Sequence, residues 1–128
     1  MHPIPRRQLL SLMVAAALAP ATIWAQTPKM YRIGVSKIVS HAALDADEKG
    51  FEAGLSSAGF KEGVNVTYLR RNAQGDMASA DAIARELVAA HPDLIHAIAT
   101  PTAQAVMRAG SKIPLIFSSV TDPVRAGL

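Results

Sequence analysis

Residues 98–106 read IATPTAQAV, the last turn of an apolar run that begins at Leu94 as LIHAIA and stops at Thr100-Pro101-Thr102. The run is continuous rather than alternating, which is the pattern of a strand covered on both faces. An alanine-rich stretch follows at once. Thr100 has the side chain of a helix N-cap and Pro101 suits a first helical position, where a missing N–H costs nothing. A buried strand that turns directly into a helix is the unit of a parallel α/β sheet.

The same alternation extends in both directions. Tyr31–Ser36 is predicted as a strand, Ala42–Ala58 as a helix whose apolar side is Leu44, Phe51, Leu55 and Ala58, and Gly59 as its left-handed stop. Val64–Leu69 is predicted as the second strand. Asp76 is placed as the N-cap of a helix reaching Ala90, with Ala80, Ile83, Ala84 and Leu87 inward, and His91-Pro92 closes it. Leu94–Ala99 is the third strand, Thr102–Ala109 the third helix with Gly110 as its stop, and Leu115–Ser118 the fourth strand. The order β-α-β-α-β-α-β implies parallel pairing through right-handed crossovers, hence a doubly wound α/β sheet of four strands and three helices.

The first 25 residues stand outside this pattern. Arg6 and Arg7 precede a short apolar stretch, Leu9–Ala21, and Ile23-Trp24-Ala25 ends it with a small residue, as in a cleaved export signal of twin-arginine or ordinary secretory type. The stretch is too short and too interrupted, by Pro20 and Thr22, to be read as a membrane span. Without residues 1–25, eleven Lys and Arg face ten acids, so the formal charge falls from +3 to +1 and no nucleic-acid footprint remains. There is no cysteine, so the exported chain has no disulfide and rests on its core.

Chemistry is sparse. A Gly-x-Ser-x-Gly elbow, a cysteine nucleophile and an H-E-x-x-H pair are all absent from the sequence, and the first strand leads into Ser36-Lys37-Ile38-Val39 rather than a G-x-G-x-x-G loop. No catalytic residue, no metal ligand and no cofactor is assigned. His96, inside a strand, reads as a packed histidine. Asp45 and Glu48 are expected on a solvated helix face, with Asp47 pointing elsewhere. Ligands of doubly wound sheets lie outside the carboxyl ends of the strands. Here those ends are polar: Ser36-Lys37, Arg71–Asp76, Thr100–Thr102 and Ser118–Asp122. The helix start after Pro101 is expected to offer unpaired amides at Thr102 and Ala103, with a dipole that favours an anion by about 0.3–1 kcal/mol.

The stretches HAALDADEKGFEAGL (41–55), NAQGDMASADAIA (72–84), PDLIHAIATPTAQA (92–105) and SSVTDPVRAGL (118–128) together resemble the exported substrate-binding proteins of ABC transporters. The likeness is to the aromatic amino-acid receptors of the tryptophan-receptor kind, over residues 31–128. Ser40 stands where that group often has an acid, Ala42 where a proline is common, and Lys37 where glutamine is frequent. The resemblance implies a type I periplasmic binding fold: two α/β lobes on a hinge, closing on a ligand, with an ABC permease as partner and membrane contact only through it. Residues 26–128 are then an amino-terminal lobe with the second lobe absent, and the location is periplasmic. Carried over, Ser36, Asn72, Thr100, Pro101, Thr102, Ser118 and Asp122 would line the ligand side. Thr100, Thr102 and the amides after Pro101 would hold a carboxylate, and Asp122 an ammonium. Two other functions fit the same fold, a secreted enzyme with its catalytic residues beyond Leu128 and a sensory ligand-binding domain. A repressor is excluded, because an export signal stands where its DNA-binding segment belongs.

Overall fold

All four strands run parallel in the computed structural model, which describes residues 26–128; the export signal read at residues 1–25 lies outside them. The elements are β1 (Tyr31–Lys37), α1 (Ala42–Ser57), β2 (Val66–Asn72), α2 (Met77–Ala89), β3 (Leu94–Ile98), α3 (Thr100–Arg108), β4 (Leu115–Ser118) and α4 (Pro123–Ala126). The strand order is β2-β1-β3-β4. The chain therefore moves outward from β1 to β2, returns past β1 to β3, and continues to β4. The order reverses between β1 and β3, whose carboxyl ends lie level in the pair Lys37↔Ile98.

Each face of the sheet has its own apolar cluster. Ile33, Val35, Val66 and Ile98 pack with Leu44, Phe51 and Leu55 of α1. On the other face Ile95 packs with Ala84 and Leu87 of α2 and with Ala105 and Val106 of α3. Consecutive residues Ile33–Ser36 are consequently all buried, although they point alternately to opposite faces. Gly34 leaves little room in this packing, since a Cβ there would meet Leu87 Cδ2 at 3.3 Å and press it aside by a few tenths of an ångström. Helix α1 is laid on less deeply than its counterparts, with no fully buried residue.

Three boundaries differ from the sequence reading by two or more residues. β2 starts at Val66 because Gly63, at φ +78°, and the amides of Val64, Asn65 and Val66, all donating to Lys61 O, form a turn there. The strand then runs on to Asn72, since its ladder with β1 continues through Val35↔Arg70, Ser36↔Arg71 and Lys37↔Asn72. Helix α3 begins at Thr100 and not at Thr102, so the N-cap is Ala99 and not Thr100. The cause is the backbone of Ala99, whose φ of 89° and ψ of 155° turn the chain into the helix one residue early. A fourth helix, α4, spans only four residues and was not expected.

Leu87, 1% exposed and central to the cluster under α2, has little room to be replaced. Leu87→Ala is expected to lower unfolding free energy by about 2–5 kcal/mol in urea denaturation. Met107→Ala, at a 51% exposed position of α3, is expected to stay within about 0.5 kcal/mol.

Candidate ligand-binding edge

The four carboxyl ends form one polar edge. It is organised by bonds between its own loops. After β1 and β2, Ala73 N donates to Lys37 O at 2.9 Å and Gly75 N to Ile38 O at 2.7 Å. Asn72 closes the same junction: its Nδ2 donates to Ser40 Oγ at 3.0 Å, and its Oδ1 accepts from Gln74 N at 2.8 Å. Its amide thus joins two loops.

The turn from β3 into α3 is strained and held from three sides. A non-glycine residue with the dihedrals of Ala99 costs about 1–3 kcal/mol and persists only where its surroundings impose it. Here Ala99 N donates to Ser118 O at 2.9 Å, while Ala99 O accepts from Ala103 N at 3.3 Å and from Thr102 Oγ1 at 2.8 Å. The Thr102 hydroxyl also reaches Ile98 O at 2.8 Å, and its side chain is buried. Thr102 therefore builds the turn with its hydroxyl, which does not face the edge. The Ala103 amide is spent on Ala99, so the amides without an intrahelical partner are those of Thr100 and Thr102, one register earlier than expected. Thr100 and Pro101 are half-buried at this point.

The acidic segment of α1 is not the solvated face that the sequence reading expected. Lys37, at the end of β1 with a side chain 12% exposed, donates to Asp45 Oδ1 at 2.6 Å and to Glu48 Oε2. Burial works against the charged ammonium, but these two carboxylates outweigh it and raise the Lys37 pKa. Asp47 accepts from Ser119 Oγ, just beyond β4, where Ser119 has a positive φ of 53°. One helical turn of α1 thus fixes the ends of β1 and β4. The signal in the sequence was a lysine at a strand end followed by acids three apart, 45 and 48, on the next helix.

Ser118, half-buried at the end of β4, lies 3.0 Å from Nε2 of His96. The imidazole is 1% exposed and packs on Phe51 with ring centroids 4.2 Å apart, so the packed histidine expected from the sequence is present. Burial pushes its pKa below the ordinary 6.5, and the charges of Asp47, Glu48 and Glu52 only partly oppose this. Ser36, on the face covered by α2 and α3, is fully buried, and its Oγ has no partner among the described residues. Asp122 is the N-cap of α4, accepting from Arg125 N at 3.0 Å through Oδ1.

The edge is open. A recess of about 470 Å³ lies elsewhere, lined by Lys49, Glu52, Phe60, Lys61 and Tyr68 among others, and one of about 320 Å³ lies between α3 and α4. Among the described residues no group of three or more His, Cys, Asp or Glu side chains is arranged to hold a metal ion. No described helix is long and apolar enough to cross a membrane.

A parallel four-stranded sheet thus gathers hydroxyls, amides and a strained helix start at its carboxyl edge. Residues 32–128 match the family model described as ABC transporter substrate binding protein, and the chain belongs to that family. Over 100 residues it is 46% identical to a tyrosine-binding protein of Clostridioides difficile, covering 78% of this chain. It spans only 29% of that relative's length. Among solved structures, a conserved domain protein of Vibrio cholerae aligns with a TM-score of 0.76 at 47% identity, covering 78% of this chain and 34% of that one. An ABC domain of Streptococcus pneumoniae in complex with L-Trp aligns with a TM-score of 0.74 at 37% identity, covering 78% and 34%.

Two outcomes follow from this geometry. Ala99→Gly removes the steric cost of the turn and is expected to raise the urea midpoint by a stabilisation of about 1 kcal/mol, the relief of strain being partly offset by glycine's chain entropy. For His96, whose folded pKa is depressed, the unfolded chain binds more protons below pH 6.5. Its contribution to stability is complete above pH 6.5 and is lost as pH falls towards the folded pKa. Unfolding free energy measured between pH 7.5 and about 5 is expected to fall on acidification, and His96→Gln is expected to flatten that slope.

Proposed function

We propose that the chain forms one wall of an exported amino-acid receptor that delivers its ligand to the permease of an ABC transporter. The observation that carries this reading is the start of α3, where Thr100 and Pro101 are half-buried, on the same edge as the polar ends of β1, β2 and β4. A carboxylate at the start of α3 takes two amides and the Thr100 hydroxyl, and the helix dipole favours its charge. Thr102 contributes its amide, and its hydroxyl keeps Ala99 in place. Asp122 has Oδ2 left for an ammonium while Oδ1 caps α4. Asn72, Pro101 and Ser118 shape the remaining surface of the same edge, and Ser36 lies buried beneath it.

In this reading residues 1–25 direct export, residues 26–128 are the amino-terminal lobe, and the facing wall is a second lobe that closes over the ligand outside the cytoplasm. The protein binds and releases without chemistry. Relatives named for tyrosine and held with L-Trp support an aromatic amino acid as the ligand.

Calorimetric titration of the full-length protein with L-tyrosine and L-tryptophan tests it. Binding without turnover is expected, and Thr100→Val is expected to weaken it by about ten- to a hundredfold, the worth of one hydrogen bond to a charged group. Unchanged affinity in that variant would remove the carboxylate from the start of α3. Consumption of either amino acid would replace the receptor with an enzyme.

A further inference from the structure

Two buried polar side-chain atoms among the described residues find no partner, Ser36 Oγ and His96 Nδ1. The second determines where a proton sits. A neutral imidazole carries one N–H. With the proton on Nδ1, a buried donor would face no acceptor while Nε2 accepted from Ser118. With it on Nε2, the N–H donates to Ser118 Oγ across 3.0 Å, and only a lone pair is left unpaired at Nδ1. Orphaned buried donors are the rarer and costlier case, so the Nε2–H form is favoured. The Ser118 oxygen then accepts from inside the protein, and its own proton must be donated elsewhere.

The surroundings fix both partners. Phe51 stacks on the ring from α1, and Val35 is its register neighbour on β1. Asp47, Glu48 and Glu52 bear on it from α1, but none accepts from Nδ1. Lys37, two residues along β1 from Val35, is engaged by Asp45 and Glu48. Ser118 in turn is bonded through its carbonyl to Ala99, the residue that starts α3. Ser118 is thus one ladder step from the start of α3.

We infer that His96 is a positioning residue that presets the Ser118 hydroxyl as a hydrogen-bond donor to the carboxylate of the ligand. This rests on the receptor reading above. It adds a donor whose direction is set from beneath the sheet surface, and it assigns a task to a histidine that touches no ligand.

The proton is read directly from nitrogen-resolved imidazole spectra of the ligand-free full chain. The Nε2–H tautomer at pH 7 is expected; the Nδ1–H tautomer or an imidazolium there overturns the inference. The consequence is read by calorimetry of the full-length protein with L-tyrosine and L-tryptophan. Ser118→Ala and His96→Leu are each expected to weaken binding by about fivefold, and the double variant no more than either alone. His96→Gln, which keeps an N–H near the position of Nε2, is expected to restore affinity to within about twofold of the wild type. Additive losses, or no recovery in His96→Gln with its fold intact, overturn the positioning role. Wild-type binding with no loss in Ser118→Ala overturns this inference alone, whereas no binding of either amino acid by the wild type overturns the receptor reading and this inference with it.

Discussion

Parallel pairing is the constraint from which everything else in this chain descends. Parallel strands cannot be joined by a hairpin, so every strand must be carried back to the same starting end by a crossover. Helices α1, α2 and α3 are those crossovers. Because right-handed crossovers place helices on opposite faces when the direction of winding changes, α1 covers one side of the sheet and α2 with α3 the other. Two results follow together. The central strands become apolar on both faces, and all four carboxyl ends are delivered to one edge, where the backbone has no further strand to pair with and polar residues collect.

That edge is not a set of independent loops. Asn72 joins the loops after β1 and β2, Ala99 joins β3 to β4 through its bond to Ser118, and the acids of α1 hold Lys37 on one side and Ser119 on the other. Each loop is over-determined by its neighbours, which is how a strained residue such as Ala99 persists.

Much of this was legible in the sequence because it depends on local pattern. The apolar run at 94–98, the glycines at 59 and 110 and the N-cap Asp76 mark elements whose causes lie within a few residues. The inward face of α2 followed from helical spacing alone, with Ala80, Ala84 and Leu87 buried. What escaped has distant or silent causes. Alanine at position 99 gives no sign of a positive φ, where a glycine would have, so the helix start was placed late. The extension of β2 through Arg70 and Arg71 contradicts their polarity and is supported by tertiary partners: Glu52 and Glu62 for Arg70, Glu86 for Arg71. The partners of Asp45, Asp47 and Glu48 lie on other elements, and helical spacing could only suggest solvent. The rule of strand ends pointed to the polar edge, but the burial of Ser36, the inward turn of the Thr102 hydroxyl and the Ser118–His96 pairing require the fold itself.

The shallow seat of α1 has a dynamic meaning. A helix with no fully buried residue, anchored by carboxylates at its first turns and by Phe51 and Leu55 below, can detach at less free energy than α2 or α3, whose buried faces tie them to the core. Amide hydrogen exchange would then show α1 as a separate opening unit, faster than the strands it covers. Since the same helix holds Lys37 and Ser119, its detachment releases two of the four loops at once and uncovers the His96 ring. The rate at which the edge loses its shape is in this way set by one amphipathic helix.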